Sequence, residues 1–278
     1  MGLQPLQVPY SRAFGRILAA SEAVPCYFPG MFDPFGWGLY LFDVSRIRVR
    51  VHWLLLLFWF VELSNAIQRE PEERSARVLG WLLYVVLGFG SILLHELGHC
   101  FAARRMGGYA DDILLWPLGG LAFCHCPENW KAHLVTAAGG PLVTLAIVGV
   151  SYPAFHLLNG YLSTEHFELL TQPYFWATYA TAQSILVDWN FIILLFNLVP
   201  VYPMDGGRIF HALAWAWFTR GGAPWGGFGR ASRLTLNVSR VAAVGGIIYG
   251  LSTGSTQTAI IFVWALLQTE QLRRGDVI

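Results

Sequence analysis

A chain of 278 residues that is 55% apolar and only 13% charged carries about half the charge of an ordinary soluble domain. That excess of apolar material argues against a water-soluble enzyme and points to a bilayer as solvent. A net charge of +1 excludes an electrostatic nucleic-acid binder, and four cysteines (Cys26, Cys100, Cys124 and Cys126) are too few and too unevenly spaced for a disulfide scaffold.

In chain order, residues 1–43 carry Arg12, Arg16 and Glu22 and are broken by Pro and Gly, so they read as a cytosolic or surface-lying segment and not as a signal peptide. Whether SRAFGRILAA (11–20) forms a short interfacial helix is left open. The rest, 44–278, reads as one transmembrane domain without repeats, a PDZ insert or a C-terminal regulatory module. VSRIRVRVHW (44–53) alternates apolar and basic residues, the period of a strand with one wet face. Six apolar segments are expected to span the membrane: 51–67, 78–103, 132–158, 181–199, 237–252 and 257–271. The first and the last two are short against the roughly 20 residues a spanning helix needs. Arg46, Arg48 and Arg50 precede the first span, Arg104, Arg105 and Lys131 follow the second, and Arg208, Arg220, Arg230 and Arg233 lie in the loop 200–236. The loop 159–180 has no Lys or Arg, so the positive-inside rule places both termini in the cytosol. The expected fold is therefore a mainly α membrane protein with about six transmembrane helices. DDILLWPLGGLAF (111–123), with two Gly and a Pro, adds a small membrane-associated β hairpin or re-entrant loop.

The chemistry concentrates in SILLHELGHC (91–100), where His95, Glu96 and His99 sit inside one of the most apolar stretches. Burying such groups is costly unless they are paired or hold a metal. His95 and His99 are four residues apart and share a helix face, so both can reach one ion, while Glu96 can meet a water bound to it. Zinc lowers the pKa of such a water toward 7, and a carboxylate can then take its proton. A catalytic zinc needs a third protein ligand. Charge counting places the end of the fourth span, NLVPVYPMDGGR (197–208), at the same depth as HELGH. Asp205 is therefore the candidate, and a turn or helix cap is its alternative role.

HELGH in one membrane helix, with Asn-x-x-Pro-x-x-Pro-x-Asp-Gly in a later one, resembles the site-2 protease family of intramembrane zinc metalloproteases (peptidase M50). PLGG (117–120) and AGGPLVT (138–144) occupy the places of two further family motifs, and the strand running into His52-Trp53 resembles the six-helix, sporulation-protease-like branch. The resemblance covers about 44–210. It implies one zinc per chain held by His95, His99 and Asp205, with Glu96 as general base. It implies Asn197 near the substrate backbone or oxyanion, and Gly119 and Gly120 in a loop or sheet edge that takes up an unwound substrate strand. Where AGGPLVT ends in Thr144 the family usually has Asn, so a contact from Thr144 to neighbouring loops is in doubt.

Other residues read as structural. Cys124-His125-Cys126 on a strand would point its cysteines one way and its histidine the other, which does not build a metal site. Cys100 reads as a packing residue, His52 as interfacial, Gly88 and Gly90 as sites of close helix approach. Asp188 receives no role, and Asn237-Val238-Ser239 lies at a cytosolic helix start, where a glycosylation motif is meaningless. The expected activity is hydrolysis of peptide bonds in transmembrane or membrane-tethered proteins near the cytosolic side. The expected place is a prokaryotic plasma membrane, with room for a regulatory membrane partner or a homo-oligomer. The rivals are a membrane metal transporter, an inactive scaffold of the same fold, and a prenyl-protein-protease-like zincin whose third ligand is Glu.

Overall fold

The computed structural model describes residues 38–274 apart from 69, 118 and 221–223, so the 11–20 segment lies outside the described residues. Strands β1 (Gly38–Val44), β2 (Ile47–His52), β3 (Tyr109–Trp116) and β4 (Gly119–His125) form one sheet in the order β1-β2-β3-β4. The alternation expected over 44–53 is realised in β2, where Ile47, Val49 and Val51 are buried and Arg48 faces out. The sheet starts earlier than that stretch, because β1 pairs antiparallel with β2 from Gly38 onward. No alternation announces β1, since Leu39, Tyr40, Leu41 and Phe42 are all apolar and all exposed. Ser45 and Arg46 close the hairpin with φ of 51° and 63°. Two positive φ values are the geometry of the tight hairpin turn that matches strand twist. Arg104 holds this turn, donating to the carbonyls of Ser45 at 2.6 Å and Arg46 at 3.2 Å.

Parallel strands require a crossover. The β2–β3 pair is parallel, and α1 (Trp53–Ile67), α2 (Pro71–Leu83) and α3 (Phe89–Arg105) supply the connection. Asp112 on β3 is buried but answered across this pair by Arg50 Nε at 2.9 Å and Arg48 at 3.3 Å. The β3–β4 hairpin realises the turn expected at 111–123 and leaves β4 at the sheet's edge. Ile47, Val49, Val51 and Ile113 of the sheet share a core with Phe89, Leu97, Cys100 and Ala103 of α3.

After the sheet come α4 (Trp130–Glu165), α5 (Phe167–Leu170), α6 (Pro173–Gln183), α7 (Asn190–Leu198), α8 (Asp205–Thr219), α9 (Pro224–Ser252) and α10 (Thr256–Arg274). π-helical turns at Tyr84–Gly88 and Ser184–Trp189 join α2 to α3 and α6 to α7. Each loosened turn has a polar side chain on one of its carbonyls: Ser91 Oγ donates to Gly88 and Asn190 Nδ2 to Ile185, both at 2.8 Å.

Among the described residues, four helices are long and apolar enough to cross a membrane: Arg74–Arg105, Trp130–Glu165, Tyr174–Leu198 and Gly227–Ser252. They correspond to four of the six expected spans. The first, Trp53–Ile67, is apolar but only 15 residues long. The last, Thr256–Arg274, reaches 19 residues but is diluted by a polar end with Glu270, Arg273 and Arg274. Val150, Leu251 and Val241 are 70–76% exposed, a surface suited to lipid and not to water. The stretch 200–236, expected as a loop, is largely helical in α8 and the start of α9. Its Pro, Gly and Arg suggested a loop, but they cluster at helix starts, and the body of α8, IFHALAWAWF, is apolar.

Helix α3 crosses α4 at close range. A Cβ on Gly98 would lie 2.5 Å from the Gly139 carbonyl oxygen, and one on Gly139 would lie 2.4 Å from that of Gly98. Only glycine permits this approach, which sets the polar face of α4 directly against the HELGH face of α3.

Candidate metal centre

Helix α3 presents His95 and His99 one turn apart on the face toward α4, with Glu96 beside them. Asp205 reaches the same point from the first turn of α8. Gly206 and Gly207 allow this, since a Cβ on either would run into the backbone of Leu198–Val199 or Val201–Tyr202 at 2.4–2.7 Å. The preceding loop is tethered, with Tyr202 N–H donating to Ser239 Oγ at 3.1 Å and Thr269 Oγ1 donating to the Tyr202 carbonyl at 3.3 Å. The four polar residues are 3–8% exposed.

His95 Nε2 and Asp205 Oδ2 are 3.1 Å apart, His99 Nε2 and Asp205 Oδ2 3.2 Å, and the two Nε2 atoms 3.2 Å. Among the described residues this is the group of His, Cys, Asp and Glu that could hold a metal ion. His99 Nδ1 lies 2.7 Å from the Thr136 carbonyl, which can only accept, so Nδ1 carries the ring proton and Nε2 presents a lone pair. His95 Nδ1 is likewise occupied, 2.8 Å from Thr144 Oγ1. Three electron-pair donors thus converge on one buried point. A single shared proton satisfies one such contact, whereas a cation between them satisfies all three. Zn–N bonds of about 2.0–2.1 Å in tetrahedral geometry separate donors by about 3.3 Å, close to the observed triangle. The residues fit zinc.

Glu96 is 8% exposed as a residue, and its carboxylate has no hydrogen-bond partner among the described residues. Gly120 on β4 lies against it, so close that a Cβ there would meet Glu96 Cγ at 2.4 Å. Gly119 has φ of +140°, a backbone that favours glycine, and pairs with Trp116 where the hairpin turns. Asn197 is half-buried near the end of α7, with no hydrogen bond from its amide to the described residues. The expected site residues are therefore brought together for His95, Glu96, His99, Asp205 and Gly120, while Asn197 makes no contact that assigns it a role.

Three contributors were not visible in the sequence. Thr136 offers a backbone carbonyl, which no side chain advertises. Gly140 lies so near the histidines that a Cβ would be 2.2 Å from His99 Nε2 and 2.5 Å from His95 Nε2. Arg208 places Nη1 3.7 Å from Asp205 Oδ1, the oxygen that does not face the histidines. Thr144, whose contact to neighbouring loops the sequence leaves in doubt, meets His95. The spacing 136, 140, 144 would have placed all three on one helix face, but the partner of that face is set by tertiary packing.

The remaining polar residues are structural. Cys124 packs against Cys100 with sulfurs 3.6 Å apart, and His125 stacks on Tyr109. His52 caps α1, its Nδ1 accepting from Leu54 N–H at 3.1 Å. His211 on α8 is packed by Trp215 and Phe228, and burial pushes its imidazole down to about 4, which keeps it neutral.

Comparison with known proteins agrees with this geometry. The chain is 25% identical over 242 residues to a zinc metalloprotease of Methanocaldococcus jannaschii, covering 86% of this chain and 61% of that protein. It is 27% identical over 125 residues to stage IV sporulation protein FB of Bacillus subtilis, covering 44% of this chain and 37% of that one. The chain thus spans less than two thirds of the length of either relative. The solved structure of a site-2 protease from Methanocaldococcus jannaschii shares the fold, with a TM-score of 0.51 at 23% identity over 84% of this chain and 94% of that chain. The family model described as Peptidase family M50 matches residues 83–224, which include HELGH and Asp205 and make up just over half of the chain. The chain therefore belongs to peptidase family M50: the family model spans its HELGH motif and Asp205, the relative from Methanocaldococcus jannaschii is a zinc metalloprotease, and the buried His95, His99 and Asp205 could hold a metal ion.

Proposed function

We propose that this protein is an intramembrane zinc metalloendopeptidase that hydrolyses peptide bonds of transmembrane or membrane-tethered proteins near the cytosolic side. The observation that carries this reading is the Glu96 carboxylate, without a hydrogen-bond partner among the described residues, beside three convergent buried donors. His95 and His99 Nε2 and Asp205 Oδ2 would hold the zinc. Bound there, zinc supplies Lewis acidity toward the scissile carbonyl and toward water. Glu96 would take a proton from the attacking water as its oxygen adds to the scissile carbonyl carbon, and would return it to the leaving nitrogen as the C–N bond breaks. A bonded carboxylate would be a poorer base, and Glu96 is free of such bonds among the described residues.

A substrate helix hides its amides and has to unwind before attack. The open edge of β4, with Gly119 and Gly120 at its start, would pair with the unwound segment as an added strand next to Glu96. Asn197 would face the substrate backbone. The arginines after α3 and in 200–236 support a cytosolic site, with both termini cytosolic and six spans in a prokaryotic plasma membrane. A transporter would need ligands spaced along a path, and the described residues offer one cluster. The third donor is Asp205, which also disfavours the zincin with Glu in that place.

The test compares host membranes expressing wild type or Glu96→Gln by mapping new protein N-termini. New termini in or beside membrane segments, present with wild type and lost on zinc chelation, support the reading. Identical termini in both membranes would refute it.

A further inference from the structure

We propose that Thr144 is a positioning residue whose hydroxyl locks His95 in the orientation that presents Nε2, and so sets how tightly the chain holds zinc. This rests on the reading of His95 as a ligand. Thr144 Oγ1 lies 2.8 Å from His95 Nδ1 and is wholly buried. A valine of the same shape would fill this site without the cost of burying a hydroxyl, so the oxygen has a use. That oxygen has little freedom. Thr is stiff at χ1 in a helix, and its own proton points back to the Gly140 carbonyl at 3.4 Å. The lone pairs of Oγ1 are then left to accept from His95 Nδ1–H. The other nitrogen, Nε2, is forced to be the bare one, aimed at the point where His99 and Asp205 converge.

The same helix does the same for the second histidine by a different group. The Thr136 carbonyl accepts from His99 Nδ1 at 2.7 Å. Pro141, which has no N–H to give to its own turn of α4, lies between these two contacts. Thr136, Gly140 and Thr144 thus form a single wall, each four residues apart: a carbonyl, a glycine whose missing side chain makes room for both rings, and a hydroxyl. The backbone part of this wall cannot be removed by a side-chain change, but the hydroxyl can. Outer partners of this kind fix the tautomer and the direction of a ligating histidine, and losing one typically weakens metal binding about 10–100-fold.

The experiment measures zinc affinity of detergent-purified protein by competition with a chelating indicator, for wild type, Thr144→Val and Thr144→Ser. It needs no substrate. Thr144→Val is expected to bind zinc about 10–100-fold more weakly, with an altered visible spectrum when loaded with cobalt(II). Thr144→Ser, which restores the acceptor, is expected to return both toward wild type. Thermal melting of the metal-free proteins checks folding, and Thr144→Ala replaces Thr144→Val if the latter does not fold. Wild-type affinity and spectrum in Thr144→Val would overturn the role, as would a serine variant as weak as the valine one, which would make packing the cause. A wild type that binds no zinc would overturn the metalloprotease reading itself, and this inference with it.

Discussion

Glu96→Gln is expected to lower the cleavage rate about 100- to 10,000-fold while leaving the zinc content unchanged. The amide matches the carboxylate in size, so the close contact with Gly120 is retained. What it loses is the ability to accept a proton, and that is the function assigned to the group. The side chain lies outside the His-His-Asp triangle and makes no hydrogen bond to described residues, so its replacement leaves no partner orphaned. Cleavage of a single-span membrane protein and metal analysis on the same preparation check both halves. Turnover near the wild-type rate would remove Glu96 from the chemistry. Zinc lost along with activity would make it a structural part of the site instead.

Gly140→Ala is expected to weaken zinc binding by at least about 100-fold, beyond what the loss of an outer hydrogen bond costs. The added methyl would stand 2.2 Å from His99 Nε2 and 2.5 Å from His95 Nε2, on the atoms that would face the metal. These contacts are too short for relaxation of one side chain, because both rings are pinned at Nδ1 by Thr136 and Thr144. By local propensity alone the change should be favourable, since Ala is better than Gly in a helix by up to about 1 kcal/mol. Gly149→Ala, on the same helix with open space around it, is the control. It is expected to keep wild-type zinc affinity and to lose no stability. Equal zinc affinity in the two variants would contradict the placement of α4 against the histidines.

The centre of the site was legible because its chemistry is local. His95, Glu96 and His99 lie within one turn and a half of helix, where spacing alone puts the histidines on one face. Asp205 was harder, because ligand and motif lie 110 residues apart and only loop charges related their depths. Strand alternation revealed β2 and turn residues revealed the β3–β4 hairpin. β1 stayed hidden because Leu39 to Phe42 are apolar on both faces, so no period of two was left to read. Helix α8 was obscured by Gly206, Gly207 and Arg208 at its start, residues that serve the approach to Asp205 more than they mark a loop. Thr144 and Gly140 could not be ranked from sequence at all. Their importance comes from the Gly98–Gly139 crossing, a property of two helices and not of either one.

Zinc content of detergent-purified protein, wild type beside Asp205→Ala, tests the three-donor site most directly. The predicted result is about one zinc per chain in wild type, lost or much weakened in the variant, as a three-ligand catalytic site requires. Zinc retained in full by Asp205→Ala would take Asp205 out of the ligand set, and no zinc in either protein after resupply would contradict the metalloprotease account.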